Sequence, residues 1–452
     1  MKKFTFRKGG IHPPQDKLTA EKGIVDMPLP SKVVLSLSQS IGVPAVTSLK
    51  KGDKVRRGDM VGQPGGFVSA PVHTPISGTV VSVGTVTSPT GMFSNGIVIE
   101  ADENDHRADL QMIGDMTFVR SEAEALALSK EQLIDIIGNA GIVGLGGATF
   151  PTKVKLLPPE GMKADILIVN AAECEPYLTC DEAIMLEQPR EIVEGVRYLM
   201  KAAAVDKAVI AIEDNKPRAI ETMTQAVHSF DNITVATCRT KYPQGSEKQL
   251  IKAVTGREVA SGALPVSVGA IVDNVATVLA VYHAVRWGLP LIERVVTVTG
   301  PSVSNPGNYR VPVGTTLSTL ADMAGGIPDD TGKIIIGGPM MGKAAITLDS
   351  PATKGVSGIL FLPESQSHRR VPTPCVRCAK CVDACPMGLE PYLISILSAQ
   401  SRFDEADSNH VADCIECGSC MYTCPSARPL LDNIRVGKST VLARRRAKKI
   451  MN

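Results

Sequence analysis

The sequence CVRCAKCVDACP occupies residues 375–386, and CIECGSCMYTCP repeats its spacing at residues 414–425. Together the two runs hold eight of the eleven cysteines. A close-spaced triplet followed by a fourth cysteine before proline is typical of [4Fe–4S] ligation, in which the fourth cysteine ligates the cluster of the other run. We therefore predict an α-helical, ferredoxin-like domain with two clusters. Cluster 1 is assigned to Cys375, Cys378, Cys381 and Cys424, and cluster 2 to Cys414, Cys417, Cys420 and Cys385.

Two other uses of these cysteines fit the pattern less well. Structural zinc takes cysteines as two separated pairs. Disulfides need an oxidising compartment, whereas the N-terminus carries no secretory signal. The remaining cysteines, Cys174, Cys180 and Cys238, have no ligand spacing, so we expect reduced and mostly buried thiols there. The sequence thus favours a chain that transfers single electrons.

Composition excludes several classes of protein. A chain of 452 residues is too long for one core, so about two to four domains are expected. A net charge of +2 argues against a nucleic-acid-binding protein. No uncharged apolar stretch reaches the length of a membrane span, and the best candidate, residues 269–290, is interrupted by Asp273 and Arg286. Any attachment to a membrane is therefore expected to come through partners.

A first β-rich unit is predicted over residues 29–100, where short β segments alternate with glycine. Its pattern x-G-D-x-V-x-x-G, followed by A-P-x-x-x-P-I-S-G-x-V, resembles the barrel-sandwich hybrid of biotinyl and lipoyl carriers. Such carriers need a modifiable lysine on the hairpin tip, and none stands between residues 62 and 76. We therefore expect a docking module rather than a swinging arm.

Strands and helices alternate over residues 129–293, which predicts a Rossmann-like α/β domain. Buried parallel strands are predicted at 164–170, 207–212 and 233–236, with a helix over 190–204. Ligands of such sheets bind at the carboxyl ends of the strands.

A compact β-rich unit follows and resembles a soluble-ligand-binding β-grasp domain. The fold class is thus a multidomain α/β and β chain with a C-terminal α-helical cluster domain. The predicted parts are an N-terminal extension (1–28), the barrel-sandwich hybrid (29–100), a linker (101–128), the α/β domain (129–293), the β-grasp domain (294–348), a second linker (349–372) and the two-cluster domain (373–452).

A glycine-rich stretch, GIVGLGGATFPTKVK at residues 141–155, follows a predicted helix. Closely spaced glycines let backbone amides approach a phosphate, and a following lysine adds a positive charge. Three further segments carry polar groups that suit a nucleotide: NAAECEP at 170–176, YPQGSE at 242–247 and DNVAT at 273–277. The two carboxylates of the first segment can accept hydrogen bonds from ribose hydroxyls or from a nicotinamide amide.

The order of these segments resembles the NADH-oxidising flavoprotein subunit of respiratory complex I, with G-G-A-x-F-P-T-x-x-K, N-x-x-E-x-E-P, Y-x-x-G-x-E and N-V-x-T in turn. From GGIHPP at residues 9–14 to the second cysteine run, the whole chain resembles the C-subunit family of Rnf complexes, the ion-translocating ferredoxin:NAD oxidoreductases. The resemblance implies noncovalent FMN, NAD(H) and two [4Fe–4S] clusters as cofactors.

The same resemblance assigns roles to individual residues. It implies an FMN cradle of Gly144, Gly146, Gly147 and Lys155, in a pocket lined by Asn170, Asn274 and Thr277. Glu173, Glu175 and Glu247 would lie nearer the nicotinamide. Leu145 and Ala172 depart from the complex I pattern, which has arginine and aspartate there, so its phosphate and ribose contacts do not carry over at these positions. No side chain need act as an acid or base, because the cofactors carry the chemistry.

The resemblance also implies a peripheral electron-transfer subunit on the cytoplasmic face of the bacterial inner membrane. Its expected partners are NADH and the other subunits of the complex, including the iron–sulfur subunit that accepts electrons from ferredoxin, and no nucleic acid. NAD exchanges electrons as a hydride pair and a cluster takes one, so a flavin must stand between them. The direction of electron flow and the coupling ion stay open.

Three other functions share some of these features. A flavin–iron–sulfur cobalamin reductase of microcompartments has similar loops and clusters, but its barrel-sandwich segment is not N-terminal. A non-catalytic iron–sulfur scaffold would not need the glycine loop with Lys155. A quinone-binding relative from sodium-pumping NADH:quinone complexes lacks the cluster domain. Domain order and the eight cysteines therefore favour the Rnf interpretation.

Overall fold

The computed structural model describes residues 3–102 and 119–451. Residues 3–102 contain the strands β1 (Ile24–Asp26), β2 (Lys32–Ser36), β3 (Lys54–Val55), β4 (Met60–Gly62), β5 (Val72–His73), β6 (Gly78–Thr87) and β7 (Phe93–Glu100). Strands β2, β7, β6 and β3 form one antiparallel sheet in that order, and β4 pairs with β5. Alternate residues of β2 and β7 face inward, so that Val33, Leu35, Ile97 and Ile99 are fully buried.

The α/β domain alternates helices and strands. Its helices are α1 (Glu122–Ala127), α2 (Lys130–Asn139), α3 (Thr152–Lys155), α4 (Cys180–Glu187), α5 (Pro189–Ala203), α6 (Pro217–Ala226), α7 (Glu247–Thr255) and α8 (Val275–Trp287), with a 3₁₀ turn at Pro265–Val268. Its strands are β8 (Ile166–Ala171), β9 (Ala208–Glu213), β10 (Ile233–Cys238) and β11 (Ala270–Asn274). The strands are parallel in the order β10-β9-β8-β11, so the three strands and the helix predicted for this region are confirmed.

Residues 101–128, interpreted as a linker and the entry to a helix, contain helix α1 at their C-terminal end. Ser121 caps this helix, because its Oγ accepts from Glu124 N while the Glu124 carboxylate accepts from Ser121 N. Ala125 is fully buried in the core of the α/β domain. Residues 103–118 of the predicted linker lie outside the described residues.

The β-grasp domain contains one six-stranded sheet with the order β1-β13-β12-β16-β14-β15. Its own elements are β12 (Glu293–Thr299), β13 (Gly307–Pro312), α9 (Leu317–Met323), β14 (Thr331–Ile336), β15 (Lys343–Ala344) and β16 (Gly358–Pro363). Strand β16 falls in the second predicted linker, 349–372, and corrects it. Ile359, Leu360 and Phe361 are buried, and β16 pairs with β12 on one side and β14 on the other.

The cluster domain is helical, as predicted. Its elements are α11 (Lys380–Asp383), α12 (Pro391–Ala399), α13 (Phe403–Ser408), a 3₁₀ turn at Val411–Asp413, α14 (Ser419–Tyr422) and α15 (Leu430–Met451). Helix α10 (Glu364–Ser367) precedes this domain and packs on β14 and β16 of the β-grasp sheet. Helix α12 packs along α15 through Ile394, Leu397 and Ile434. This small apolar core holds the two cysteine runs together.

The N-terminal extension connects the other units. Phe4 forms a parallel bridge to Cys238 at the end of β10, and Ile11 forms an antiparallel bridge to Tyr242. Gly10 N donates to the Ala384 carbonyl in the cluster domain at 2.9 Å. Farther along the extension, β1 adds a parallel edge strand to the β-grasp sheet. The extension therefore passes between the α/β domain and the cluster domain before joining a third unit.

Candidate functional site

The carboxyl ends of the neighbouring strands β8 and β11 lie side by side, and each ends in or next to an asparagine. Asn170 and Asn274 are register partners. Asn170 Nδ2 donates to the Gly245 carbonyl at 2.7 Å, and Asn274 Nδ2 donates to Asp181 Oδ2 at 2.7 Å. The three polar segments found in the sequence therefore meet at the edge of the sheet where α/β proteins bind ligands.

The glycine-rich loop lies against the same edge. Leu145 N donates to Thr277 Oγ1 at 2.9 Å, which ties the loop to the first turn of α8. A Cβ added to Gly146 would lie 3.5 Å from the Asn274 side chain, whereas one added to Gly147 would meet nothing within 4 Å. Gly147 has φ +107°, which favours glycine. The loop thus offers open backbone beside the two asparagines, which suits a phosphate-bearing ligand.

Leu145, which stands where the complex I pattern has arginine, belongs to the hydrophobic core. It is 4% exposed, and Arg294 Nη2 donates to its carbonyl at 3.4 Å. Gly144 N donates to the Phe150 carbonyl at 2.9 Å and closes the loop. The Leu145 side chain offers no polar group, so any phosphate contact here must come from backbone amides and Lys155.

Lys155 lies between two carboxylates at this edge. Its Nζ is 3.3 Å from Asp273 Oδ1 and 3.7 Å from Glu247 Oε1, and it also donates to the Val272 carbonyl. Burial raises the pKa of Asp273, which is 1% exposed, above its usual value. Burial lowers the pKa of Lys155, but the two carboxylates raise it further than burial lowers it. Lys155 is therefore a charged and positioned ammonium group.

Glu173 occupies a strained turn after β8, with φ +46°. Lys17 of the N-terminal extension holds this turn through three backbone carbonyls. They belong to Glu173, Glu175 and Leu178, at 2.9, 2.9 and 2.6 Å from Lys17 Nζ. Glu173 Oε1 accepts from Asp181 N at 2.8 Å, and burial followed by the Glu173 charge raises the pKa of Asp181. The Glu173 carboxylate thus faces the first turn of α4.

Glu175 points toward the β-grasp and cluster domains instead. Its carboxylate accepts from Met340 N at 3.0 Å and from Met341 N at 2.8 Å. Tyr242 Oη lies 3.5 Å from Glu175 Oε1 and donates to the Cys417 carbonyl at 2.9 Å. Desolvation raises the pKa of Glu175 to about 7, although the two amides oppose this shift. A polar contact therefore runs from the strand end to a predicted ligand of cluster 2.

One cavity is lined by the four cysteines assigned to cluster 2, Cys385, Cys414, Cys417 and Cys420. Its remaining wall is largely apolar and includes Leu389, Ile394, Ile415, Leu431 and Ile434. Burial raises the pKa of the Cys414 thiol to about 11. Four sulfur donors in an apolar cavity fit a [4Fe–4S] cluster.

The cysteines assigned to cluster 1 have a different environment. Cys375 and Cys378 are exposed, Cys381 is half-buried and Cys424 is buried. The segment after Cys424 lies against the start of the first run, because Thr373 N donates to the Ser426 carbonyl and Ser426 Oγ donates to the Pro374 carbonyl, both at 3.0 Å. The fold therefore carries Cys424 toward the first run.

The three remaining cysteines are free thiols in the α/β domain. Cys180 and Cys238 are buried, and Cys174 is half-buried with its sulfur accepting from Gly245 N at 3.4 Å. Burial raises the pKa of all three thiols. These observations agree with the expectation of reduced, mostly buried thiols.

Sequence reasoning did not identify Lys17 or Asp181 as parts of this site, and it named the segment that begins at Asp273 without giving Asp273 a role. Asp273 directly precedes Asn274 at a strand end, and a buried aspartate there was a usable signal. Lys17 lies in the N-terminal extension with no recognisable spacing, so only the folded chain connects it to the turn at Glu173.

Comparisons with known domain families agree with this architecture. Residues 4–104 match the RnfC barrel sandwich hybrid domain, 137–283 the Nuo51 FMN-binding domain, 295–344 the SLBB domain, and 367–426 the 4Fe-4S dicluster domain. The predicted fold class is therefore confirmed, including the two cofactor-binding domains.

Full-length relatives extend the match. The C subunit of the Na(+)-translocating ferredoxin:NAD(+) oxidoreductase complex of Acetobacterium woodii is 43% identical over 447 residues, which is 99% of each chain. The chain belongs to the C-subunit family of ion-translocating ferredoxin:NAD(+) oxidoreductases. Another member, from the proton-translocating complex of Clostridium ljungdahlii, is 44% identical over 404 residues, covering 89% of this chain and 86% of that one. The predicted resemblance to this C-subunit family is thereby confirmed.

A solved structure shares the fold of this C-subunit family member at low sequence identity. An NAD+-reducing [NiFe]-hydrogenase in the H2-reduced state aligns with a TM-score of 0.51 at 18% identity, covering 74% of this chain and 66% of that one. Within residues 3–102 and 119–451, no helix is long and apolar enough to cross a membrane.

Proposed function

We propose that this chain is the subunit in which hydride exchange with NAD(H) and one-electron transfer meet, within an ion-translocating ferredoxin:NAD(+) oxidoreductase. The observation that carries the proposal is the contact from Glu175 through Tyr242 to the Cys417 carbonyl. It joins the ligand-binding edge of the α/β sheet directly to a four-cysteine cavity. A chain that only conducted electrons would have no use for the nucleotide-type site at the other end of this contact.

The residues at the sheet edge fit FMN, which when bound exchanges a hydride pair with a nicotinamide and single electrons with clusters. We assign the phosphate contact to the amides of Gly144, Gly146 and Gly147 and to the ammonium of Lys155. Asp273 and Glu247 keep that ammonium charged and fix its position. Asn170, Asn274 and Thr277 line the pocket around the loop.

The nicotinamide side of the pocket is assigned to Glu173 and Glu175, because both carboxylates follow β8 at the same sheet edge. Lys17 orients this turn by binding its carbonyls. Glu247 lies beside Lys155, so its first role is to position the lysine. No side chain is required as an acid or base.

For the clusters, we propose crosswise ligation. Cys385 completes cluster 2 in the cavity that it lines with the second triplet, and Cys424 completes cluster 1. The apolar wall excludes water from cluster 2, and this contributes to its reduction potential.

We further propose that the chain acts at the cytoplasmic face of the membrane and attaches through other subunits of the complex, among them an iron–sulfur subunit. The names of its relatives, which are subunits of translocating complexes, support this proposal. The barrel-sandwich hybrid has no lysine between residues 62 and 76, so a docking role suits it better than a carrier role.

Anaerobic purification with iron–sulfur reconstitution tests the proposal. We expect releasable FMN, roughly eight irons per chain, and flavin absorbance that bleaches with NADH. Lys155→Met should weaken FMN binding at least about thirtyfold, because an ion-paired phosphate contact is lost. Lys153→Met is the matched control, since Lys153 is on the same short helix but pairs with Asp135 at the surface. A wild-type protein with a full complement of iron but neither flavin nor NADH oxidation would leave only the scaffold function.

A further inference from the structure

The segment of residues 368–380 is exposed at every position, and it contains the first two cysteines of run one. Val371 is 83% exposed and Val376 is 66% exposed, although valine is more often buried. By contrast, the corresponding cysteines of run two line the apolar cavity beside Tyr242. Cluster 2 therefore faces the interior of the protein, and this segment brings cluster 1 to the surface.

The same segment is basic. Between residues 369 and 386 there are four cations, Arg369, Arg370, Arg377 and Lys380, against one carboxylate, Asp383. Arg369 pairs with Asp432, and Arg370 Nη2 donates to the Cys424 carbonyl at 3.3 Å. Neither Arg377 nor Lys380 forms an ion pair with any described residue. Two free cations thus stand beside the exposed ligands of cluster 1.

We propose that residues 368–380, the basic segment, form the docking surface through which cluster 1 exchanges single electrons with an acidic iron–sulfur protein. The proposal rests on the proposed function, because it needs cluster 1 to be present. One electron leaves the reduced centre of one protein and reduces the oxidised centre of the other, and no proton or other atom is transferred. Electron exchange between two proteins requires their redox centres to come close. The basic segment is the part of the surface where the redox centre of a partner can approach cluster 1.

The composition of the segment favours a protein partner over a membrane. Anionic lipid would attract basic residues anywhere on the surface. Here the cations lie beside predicted cluster ligands, and this position benefits only a partner that exchanges electrons with the cluster. The exposed valines add the apolar contact that a protein interface has at its centre, with charges at its rim. Complementary charge mainly raises the association rate of such partners.

Binding to the reconstituted holoprotein provides the test, because it is measured separately from catalysis. The probes are a small acidic two-[4Fe–4S] ferredoxin and a basic c-type cytochrome, with association rates followed by biolayer interferometry at low and at high salt. We expect the acidic probe to associate at least about tenfold faster than the basic one at low salt, with the advantage lost near 1 M salt, where the screening length is about 3 Å.

The variant Arg377→Glu with Lys380→Glu should slow association of the acidic probe at least about tenfold. Its matched control is Lys50→Glu with Lys51→Glu, which changes net charge equally on an exposed turn of the barrel-sandwich hybrid. We expect less than about a twofold effect there. Equal effects of the two double variants would overturn the proposal. The proposal would also be overturned if phosphatidylserine vesicles bound the wild-type protein but not the segment variant, while the acidic probe bound neither.

Because Arg377 lies between two cluster ligands, iron content and visible absorbance are recorded for each variant. If the segment variant loses iron, the proposal is judged from the association rates of the acidic and basic probes with the wild-type protein. Equal association rates for the two probes would contradict the docking surface. Flavin release and NADH bleaching are measured on the same preparation. Probe binding without NADH oxidation would reject the proposed function alone, and NADH oxidation without charge selectivity would reject the docking surface alone.

Discussion

The two cysteine runs have the same spacing but opposite surroundings. The second run and Cys385 line an apolar cavity next to Tyr242 and the N-terminal extension. The first run begins in a fully exposed basic segment. Spacing therefore specifies which atoms can hold a cluster, whereas the surrounding chain determines what the cluster can exchange electrons with. The difference gives the cluster domain an inner side toward the α/β site and an outer side toward solvent.

The N-terminal extension is a main cause of this difference. It contacts the inner side, where Gly10 N donates to the Ala384 carbonyl and Gly9 approaches Cys385 so closely that a side chain would not fit. Its next residues hold the turn at Glu173 through Lys17. One stretch of chain thus contacts both the turn at Glu173 and Cys385, which lines the four-cysteine cavity.

Removing the crosswise cysteines should have the largest effect. We expect Cys385→Ser to lose cluster 2 and Cys424→Ser to lose cluster 1, each with roughly half of the iron, because the fourth ligand serves the opposite run. Differential alkylation followed by mass spectrometry reads the result. In Cys385→Ser, the thiols of run two should become reactive while those of run one stay protected.

The two variants serve as controls for each other. If instead the thiols of run one became reactive in Cys385→Ser and those of run two in Cys424→Ser, each cluster would be ligated within a single run and the crosswise arrangement would be wrong. Loss of both clusters in both variants would show that the two sites assemble only as a unit, and the comparison between an inner and an outer cluster would lose its basis.

Gly9→Ala should be the next largest perturbation. Gly9 has φ +66°, and an added Cβ would lie 2.4 Å from the backbone of Cys385. Moving the backbone apart should cost ~3 kcal/mol. Gly52→Ala is the control, because Gly52 also has positive φ but an added Cβ meets nothing within 4 Å. That change should cost ~1 kcal/mol. Heating with EPR detection should show cluster 2 lost first in Gly9→Ala, and simultaneous loss of both clusters would contradict the inner-side assignment.

Tyr242→Phe tests the contact between the two sites. It removes a hydroxyl that donates to the Cys417 carbonyl, a hydrogen bond of ~1 kcal/mol. Without this hydroxyl the partial negative charge of the Cys417 carbonyl is no longer offset, which disfavours the more negative, reduced form of the neighbouring cluster, so the potential of cluster 2 should fall by up to about 40 mV. Cluster 1 should not change. Tyr309→Phe is the control, since the Tyr309 hydroxyl donates to the Asn305 carbonyl in the β-grasp domain. If the reduction potential of cluster 1 shifted and that of cluster 2 did not, cluster 1 would be the cluster near Tyr242, contrary to the assignment.

Local patterns predicted most of the fold. The buried runs at β8, β9 and β10 are continuous and apolar, as parallel strands covered on both faces require, so their positions could be read from the sequence. Strands β1 and β16 were missed for different reasons. β1 has three residues and depends on partners almost three hundred positions away. β16 is apolar enough to predict, but it follows a stretch that lacks regular spacing.

The residues of the candidate site also fall into two groups, those that the sequence predicted and those that it did not. Motif spacing identified the cysteines and the glycine loop, because those groups act within a few residues of one another. Lys17 and Asp181 act through contacts that only the folded chain creates, and Lys17 binds a turn 156 residues away. Tyr242 stood in a recognised motif, yet its contact with Cys417, 175 residues away, had no local signal. The individual FMN, nicotinamide and cluster ligands stay predictions.

The smallest expected effect is a pH dependence that only cluster 2 should show. Desolvation raises the pKa of Glu175 to about 7, so this carboxyl group titrates near neutral pH. Its ionised form disfavours an added electron on the nearby cluster, so the potential of cluster 2 should fall by about 20 mV, ~0.5 kcal/mol, as pH rises through 7. In Glu175→Gln this fall should vanish. Ionisation of Glu175 should also lower the stability of the folded protein. Because its pKa in the folded state lies above the usual 4.5, the free energy of unfolding decreases as pH rises from 4.5 to 7.

Glu416→Gln provides the matched control for that change. Glu416 lies inside run two, and although burial opposes it, Lys438 and Arg435 lower its pKa below the usual value. It is therefore ionised throughout the neutral range, and its removal should shift the potential of cluster 2 by the same amount at every pH. Potentiometric titrations with EPR detection at several pH values measure both clusters in one sample. If cluster 1 followed pH as steeply as cluster 2, the titrating group would not be Glu175, because its only polar link to the clusters among the described residues leads to Cys417.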